Sequence, residues 1–125
     1  MTDRSQSASL EAHMEGLMAS TRGDSFLIVT VKGTEDFIQF TGHPGGVQLD
    51  FPVITNPQKI LEPRFHETAK KLGLAVVENP GSGGSRFLDI DIKGSPSEVA
   101  QVTRAFLAEF LHVTDDSALE FQDEY

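Results

Sequence analysis

Two aspartates, Asp89 and Asp91, stand two residues apart in Arg86-Phe87-Leu88-Asp89-Ile90-Asp91-Ile92. In a strand, alternate side chains share a face, so both carboxylates project together about 7 Å apart. Two ligands of a divalent cation, or an acid and its conjugate base, can use that spacing. Asp50, in the alternating segment Val47-Gln48-Leu49-Asp50-Phe51-Pro52-Val53, is the obvious third carboxylate. The more ordinary role of alternating Asp on an outward strand face is to discourage pairing with other sheets. The four histidines, at 13, 43, 66 and 112, fall in four different segments and form no His-x-x-x-His pair. His43 reads as an exposed residue of a Pro-Gly loop. His66 reads as surface, because its neighbour Glu67 does not face it on a helix, and His13 and His112 read the same way. Gly81-Ser82-Gly83-Gly84-Ser85 lacks the Lys-Ser/Thr pair and following helix of a phosphate loop. There is no glycine-flanked serine elbow, and the absence of Cys removes thiolate chemistry. The expectation is a protein without catalytic residues and without a cofactor.

Charge narrows the partners. The 125-residue chain carries 19 Asp and Glu against 10 Lys and Arg, a net charge of −9. Phosphate-rich surfaces would repel it, which argues against nucleic acid and anionic membrane. The first residues, Met1-Thr2-Asp3-Arg4-Ser5, have no apolar signal region, and no apolar run approaches the roughly 20 residues of a membrane span. A cytoplasmic location is expected.

These side chains need elements to hold them. Residues 1–9 read as a flexible polar arm, 10–113 as one domain and 114–125 as an acidic tail. Leu10, Met14, Leu17 and Met18 make one stripe of a short helix that Ser9 could cap. Phe26–Val31, Phe37–Thr41 and Val47–Val53 read as three antiparallel strands, the first two joined by Lys32-Gly33-Thr34-Glu35-Asp36. A second helix could begin at Asn56-Pro57; a start at Pro63 is preferred, since proline inside a helix costs about 3 kcal/mol. Phe65, Ala69 and Leu72 would be its buried stripe and Gly73 its stop. Leu74–Val77 suggests a short strand, 79–85 a flexible loop, and 86–92 a further strand. Ser95-Pro96-Ser97-Glu98 is a capping box opening a last helix with Val99, Val102, Phe106, Phe110 and Val113 on its apolar face. The fold class is therefore α+β, an antiparallel sheet of four or five strands with helices on one face, in the order α-β-β-β-α-β-β-α.

With helices on one face, the more apolar set must point to them: Leu27, Val29 and Val31, Ile38 and Phe40, Val47, Leu49 and Phe51, and Leu88, Ile90 and Ile92. The opposite face then carries Phe26, Ile28, Phe37, Gln39 and Phe87 beside Asp50, Asp89 and Asp91. Exposed aromatics bordered by carboxylates suit a surface for binding another protein, an extended peptide or a second copy of the chain. Burial of this face under the first helix or the tail is the competing reading. A small-ligand or divalent-metal regulatory domain using Asp50, Asp89 and Asp91 is the alternative function.

The order of elements, Phe37-Ile38-Gln39-Phe40 after a hydrophobic strand, and Leu72-Gly73-Leu74 closing the second helix resemble the TY-Chap group. That group takes in class I type III secretion chaperones and YbjN-like proteins, and the likeness spans roughly residues 10–113. It implies a bacterial, chaperone-like, often dimeric α+β domain without enzymatic activity that binds an extended or partly unfolded stretch of a partner.

Overall fold

The computed structural model describes residues 9–81, 83 and 85–125. The expected arm at residues 1–8, and Ser82 and Gly84 of the glycine loop, lie outside the described residues. Helix α1 (Ser9–Ala19) leads to strands β1 (Phe26–Val31), β2 (Phe37–His43) and β3 (Gly46–Val53). Helix α2 (Asn56–Lys71) follows, then β4 (Val76–Pro80), β5 (Arg86–Lys93) and helix α3 (Pro96–Phe110). A short 3-10 turn (Asp116–Ala118) ends the connection to β6 (Leu119–Glu124). The architecture is α+β in the expected order, with one strand more than expected. The six strands form a single antiparallel sheet in the order β4-β5-β3-β2-β1-β6.

The three helices of the described residues pack on one side of this sheet. Leu27, Val29, Ile38, Phe40, Val47, Leu49, Phe51, Leu88, Ile90 and Ile92 point to them and are buried, while Val31, near a strand end, is partly buried. Phe65 of α2 joins two helices to the sheet. Its ring lies 5.2 Å from that of Phe51, 5.1 Å from Phe106 and 5.3 Å from Phe110. Such pairs add favourable edge and stacking contacts to the burial of apolar area. Gly42 allows α1 to approach β2, since a Cβ there would lie 2.3 Å from the Leu17 carbonyl oxygen.

Helix α2 begins at Asn56, not at Pro63. A capping box at the preceding residues explains the difference: Thr55 Oγ1 accepts from the Gln58 N–H, and the Gln58 side chain accepts from the Thr55 N–H. Pro63 removes one N–H inside the helix, but it lies on the solvent side, where the carbonyl of exposed Lys59 can meet water. The stop falls as expected at Gly73, whose φ of 72° lets its N–H and that of Leu74 close onto the Lys70 and Ala69 carbonyls. The buried residues of α2 are Phe65, Thr68 and Ala69, with Leu72 half-buried at the cap.

The segment expected as an acidic tail contains β6, which pairs along the whole of β1 from Phe26↔Glu124 to Val31↔Leu119. Its alternation explains the placement: Leu119 is buried and Phe121 half-buried on the helical side, while Glu120, Gln122 and Glu124 face outward. Strand β4 starts later than expected and runs through Asn79 to Pro80, which an edge strand tolerates.

Candidate functional site

Among the described residues, no helix lies on the outward face of the sheet. Cross-strand register sets its side chains in rows. One row runs Val77, Asp89, Asp50, Gln39, Ile28, Gln122, from β4 across to β6. Beside it lie Asn79, Phe87 and Pro52 on one half, and Phe37, Thr30 and Glu120 on the other. Phe26, Ile28, Phe37, Gln39 and Phe87 are all half-buried, and Val77 is 58% exposed. Neither α1 nor the C-terminal segment lies over Phe26, Phe37 or Phe87: the helices take the other face, and β6 extends the sheet edge.

Pro52 shapes one end of this face. The β2–β3 ladder runs from His43↔Gly46 to Gln39↔Asp50, and Pro52, with no N–H to donate, follows beyond it. The strands part there, leaving a cleft of about 400 Å³ between the β1–β2 turn and the start of α2. Phe37, Phe51, Pro57 and Leu61 supply its apolar wall, and Glu35 and Asp36 lie on its rim.

At the middle of the face, Asp50 and Asp89 oppose each other directly across β3 and β5. Gln39 Nε2 donates to Asp50 Oδ2 at 3.3 Å, and Asn79 Nδ2 donates to Asp89 Oδ2. The two Oδ1 atoms are shut off from water and have no donor. Two carboxylates in contact cannot both ionise cheaply. Burial, then the neighbouring Asp89, accordingly push the Asp50 carboxyl up from 3.8 to about 6. The pair therefore holds one shared proton at mildly acid pH.

Asp91 does not converge with them. It sits one register row away, its Oδ1 is 2.9 Å from His43 Nε2, and its Oδ2 is 3.8 Å from Lys93 Nζ. The Asp50, Asp89 and Asp91 set is thus split into a pair and a separate ion pair. Among the described residues no group of three or more His, Cys, Asp or Glu is arranged to hold a metal ion.

One histidine, His13, differs from its expected surface role, and His43 stays at the surface but ends a strand instead of lying in a loop. His43 ends β2 and is held at both nitrogens, by the Pro44 carbonyl at 3.1 Å and by Asp91. These contacts favour its charged form and raise its pKa above 6.5. His13 is half-buried between α1 and β6, stacked on Phe121 with ring centroids 4.3 Å apart. Its Nδ1 faces Asp123 Oδ2 at 3.0 Å and the Tyr125 hydroxyl. Burial lowers its pKa, and Asp123 opposes that shift. Burial also raises the Tyr125 phenol. Without β6 in the reading, none of the three groups had a visible partner. His66 is exposed beside Glu62 at 3.4 Å, and His112 is exposed in a left-handed conformation at φ 58°.

Models of protein families, curated proteins and solved structures were compared with the chain, and none matches it. No helix among the described residues is long and apolar enough to cross a membrane.

Proposed function

We propose that this chain is a non-enzymatic, chaperone-like domain of the TY-Chap kind that binds another protein or an extended peptide across its open sheet face. One observation carries the reading. The face that the three described helices leave bare sets Phe26, Ile28, Phe37 and Phe87, all half-buried, among its polar residues. The rows of alternating side chains are spaced as an extended segment needs, and the cleft beside Phe37 offers room for one deeper anchor. The resemblance adds a cytoplasmic, bacterial setting and a homodimer to the proposal.

Substituting Phe26→Ser and Phe37→Ser together tests it. Aggregation of a denatured reporter protein should be suppressed by the parent chain and not by the variant, with the far-ultraviolet circular dichroism of both alike. Equal suppression by both would remove the sheet face as the binding surface. Sedimentation at micromolar concentration tests the homodimer, and a monomer would refute it. The divalent-cation reading draws less support, because Asp91 is engaged by His43 and only Asp50 and Asp89 face each other.

A further inference from the structure

The open face combines apolar side chains with an excess of negative charge. Asp50, Asp89, Asp91, Glu120 and Glu124 all project from it by register. Several cations near it are already engaged: Lys93 and His43 by Asp91 at one end, and Arg22 by Asp24 and Glu124 at the β6 edge, while Lys32 lies at the far end of β1. Among the described residues no cation forms an ion pair with Asp50 or Asp89. Their donors among the described residues are the neutral amides of Gln39 and Asn79, and both buried Oδ1 atoms are left without one. Glu35 and Asp36 extend the negative rim around the cleft beside Phe37.

A second copy of this chain would meet these groups with its own. Two sheets packed face to face lie about 10 Å apart, and like charges brought together across such an interface cost several kcal/mol. A partner of opposite charge gains where a copy loses. The occupant must still carry apolar side chains for the half-buried aromatics and the cleft.

We infer, building on the protein-binding reading above, that the face takes a basic segment of a different protein, with Lys or Arg meeting the Asp50–Asp89 row and alternate apolar residues meeting Phe26, Ile28, Phe37 and Phe87. The ammonium or guanidinium meets the negative charge of the two half-buried carboxylates from the open side of the row, the Oδ1 atoms themselves being shut off from solvent. A cation there competes with the shared proton, so binding strengthens as pH rises through about 6, where the Asp50 carboxyl releases it. Asp89 and Asp91 from β5, the Gln39 amide and His43 from β2, Lys93, and Glu120 and Glu124 from β6 are the polar groups that surround Asp50 on this face.

Fluorescence anisotropy with three labelled peptides of about ten residues, alternating Val with Lys, with Ser or with Glu, tests the inference on the full chain. The Lys–Val peptide should bind, the Ser–Val peptide should bind about tenfold more weakly, and the Glu–Val peptide should not bind. Raising salt from about 50 to about 300 mM should weaken the Lys–Val complex by about tenfold. Asp50→Asn and Asp89→Asn should each weaken it severalfold, while Glu15→Gln with Glu67→Gln, on the helical side, should change it less than about twofold. Equal binding of the Lys–Val and Ser–Val peptides, or equal losses in the control and Asp50→Asn, would overturn the basic partner and leave the protein-binding reading standing, provided that Phe26→Ser with Phe37→Ser abolishes binding. Lys–Val binding unaffected by the double Phe variant would remove the face itself. A dimer that this variant dissolves would make a second copy the occupant and overturn the inference.

Discussion

Replacing Asp50 with Asn should make this protein more stable at neutral pH and leave it unchanged in acid. In the parent chain, the Asp50 carboxyl titrates near 6 when folded, against 3.8 for an unperturbed group. Between these values the folded chain holds a proton that the unfolded chain has released. The contribution of this pair is therefore greatest below about pH 4, falls as pH rises to about 6, and stays low above it. A shift of about two units at 1.36 kcal/mol each would be worth about 3 kcal/mol in a dry site. The pair is only partly buried, and screening by solvent brings the effect to about 1–2 kcal/mol. An Asn amide gives Asp89 Oδ1 a permanent donor in place of the shared proton, so the variant keeps the acid stability at all pH. Urea unfolding of parent and variant at about pH 4 and pH 8 is the assay. With a slope of about 2 kcal/mol per M, the variant midpoint should exceed that of the parent by about 0.5–1 M at pH 8 and coincide with it at pH 4. Asp89→Asn removes the neighbouring charge that helps raise the Asp50 carboxyl, and should also narrow the difference between pH 4 and pH 8. A variant less stable than the parent at pH 8, or a difference that does not grow with pH, would refute the reasoning.

Three further outcomes follow from other parts of the molecule. Ending the chain after Val113 should abolish cooperative thermal unfolding, because it uncovers the β1 edge and removes the Leu119 and Phe121 contacts; a dispensable tail would leave the melt unchanged. Pro63→Ala should raise stability by about 1–3 kcal/mol in the same urea assay, because it restores an N–H inside the exposed side of α2. His13, with a pKa lowered by burial, stabilises above about pH 6.5 and loses that contribution as pH falls through its folded value. Hydrogen exchange in β6 should consequently speed up relative to the core on acidification, and His13→Phe, which can still stack on Phe121, should flatten that change.

Much of this architecture was legible because its strands obey a period of two. Leu88, Ile90 and Ile92 fall inward as their alternation dictates, and Ser95-Pro96-Ser97-Glu98 opens α3 with both capping bonds formed. The start of α2 was missed because the penalty for Pro63 outweighed a quieter signal, Thr55-x-x-Gln58, which is also a capping box. Strand β6 was missed because Asp115, Asp116, Glu120, Asp123 and Glu124 give it the composition of a solvated tail. The usable sign was Leu119 and Phe121 in alternation, enough for an edge strand that buries only one side. Sequence alternation puts Asp50 and Asp89 on one face, but their direct contact, with Asp91 left out of it, was not legible. Seeing it requires knowing that β5 pairs with β3, a neighbour separated in sequence by α2 and β4, and that the register sets residue 50 opposite residue 89.

The two edges of the sheet bear on how a partner can approach. Strand β4 is short, exposed along most of its length and ends at Pro80, and β6 is acidic on its outward side. Both are devices that discourage a further strand from adding to an edge. A partner held by backbone pairing at an edge would be accepted whatever its side chains. A partner held against the face is selected by its side chains, one row at a time. The Asp50–Asp89 row is where that selection is sharpest, because among the described residues two buried acceptors lack a donor there. A stabilising substitution there should therefore weaken binding of the basic segment, and the opposite signs of those two effects separate a recognition role from a merely tolerated pair of acids.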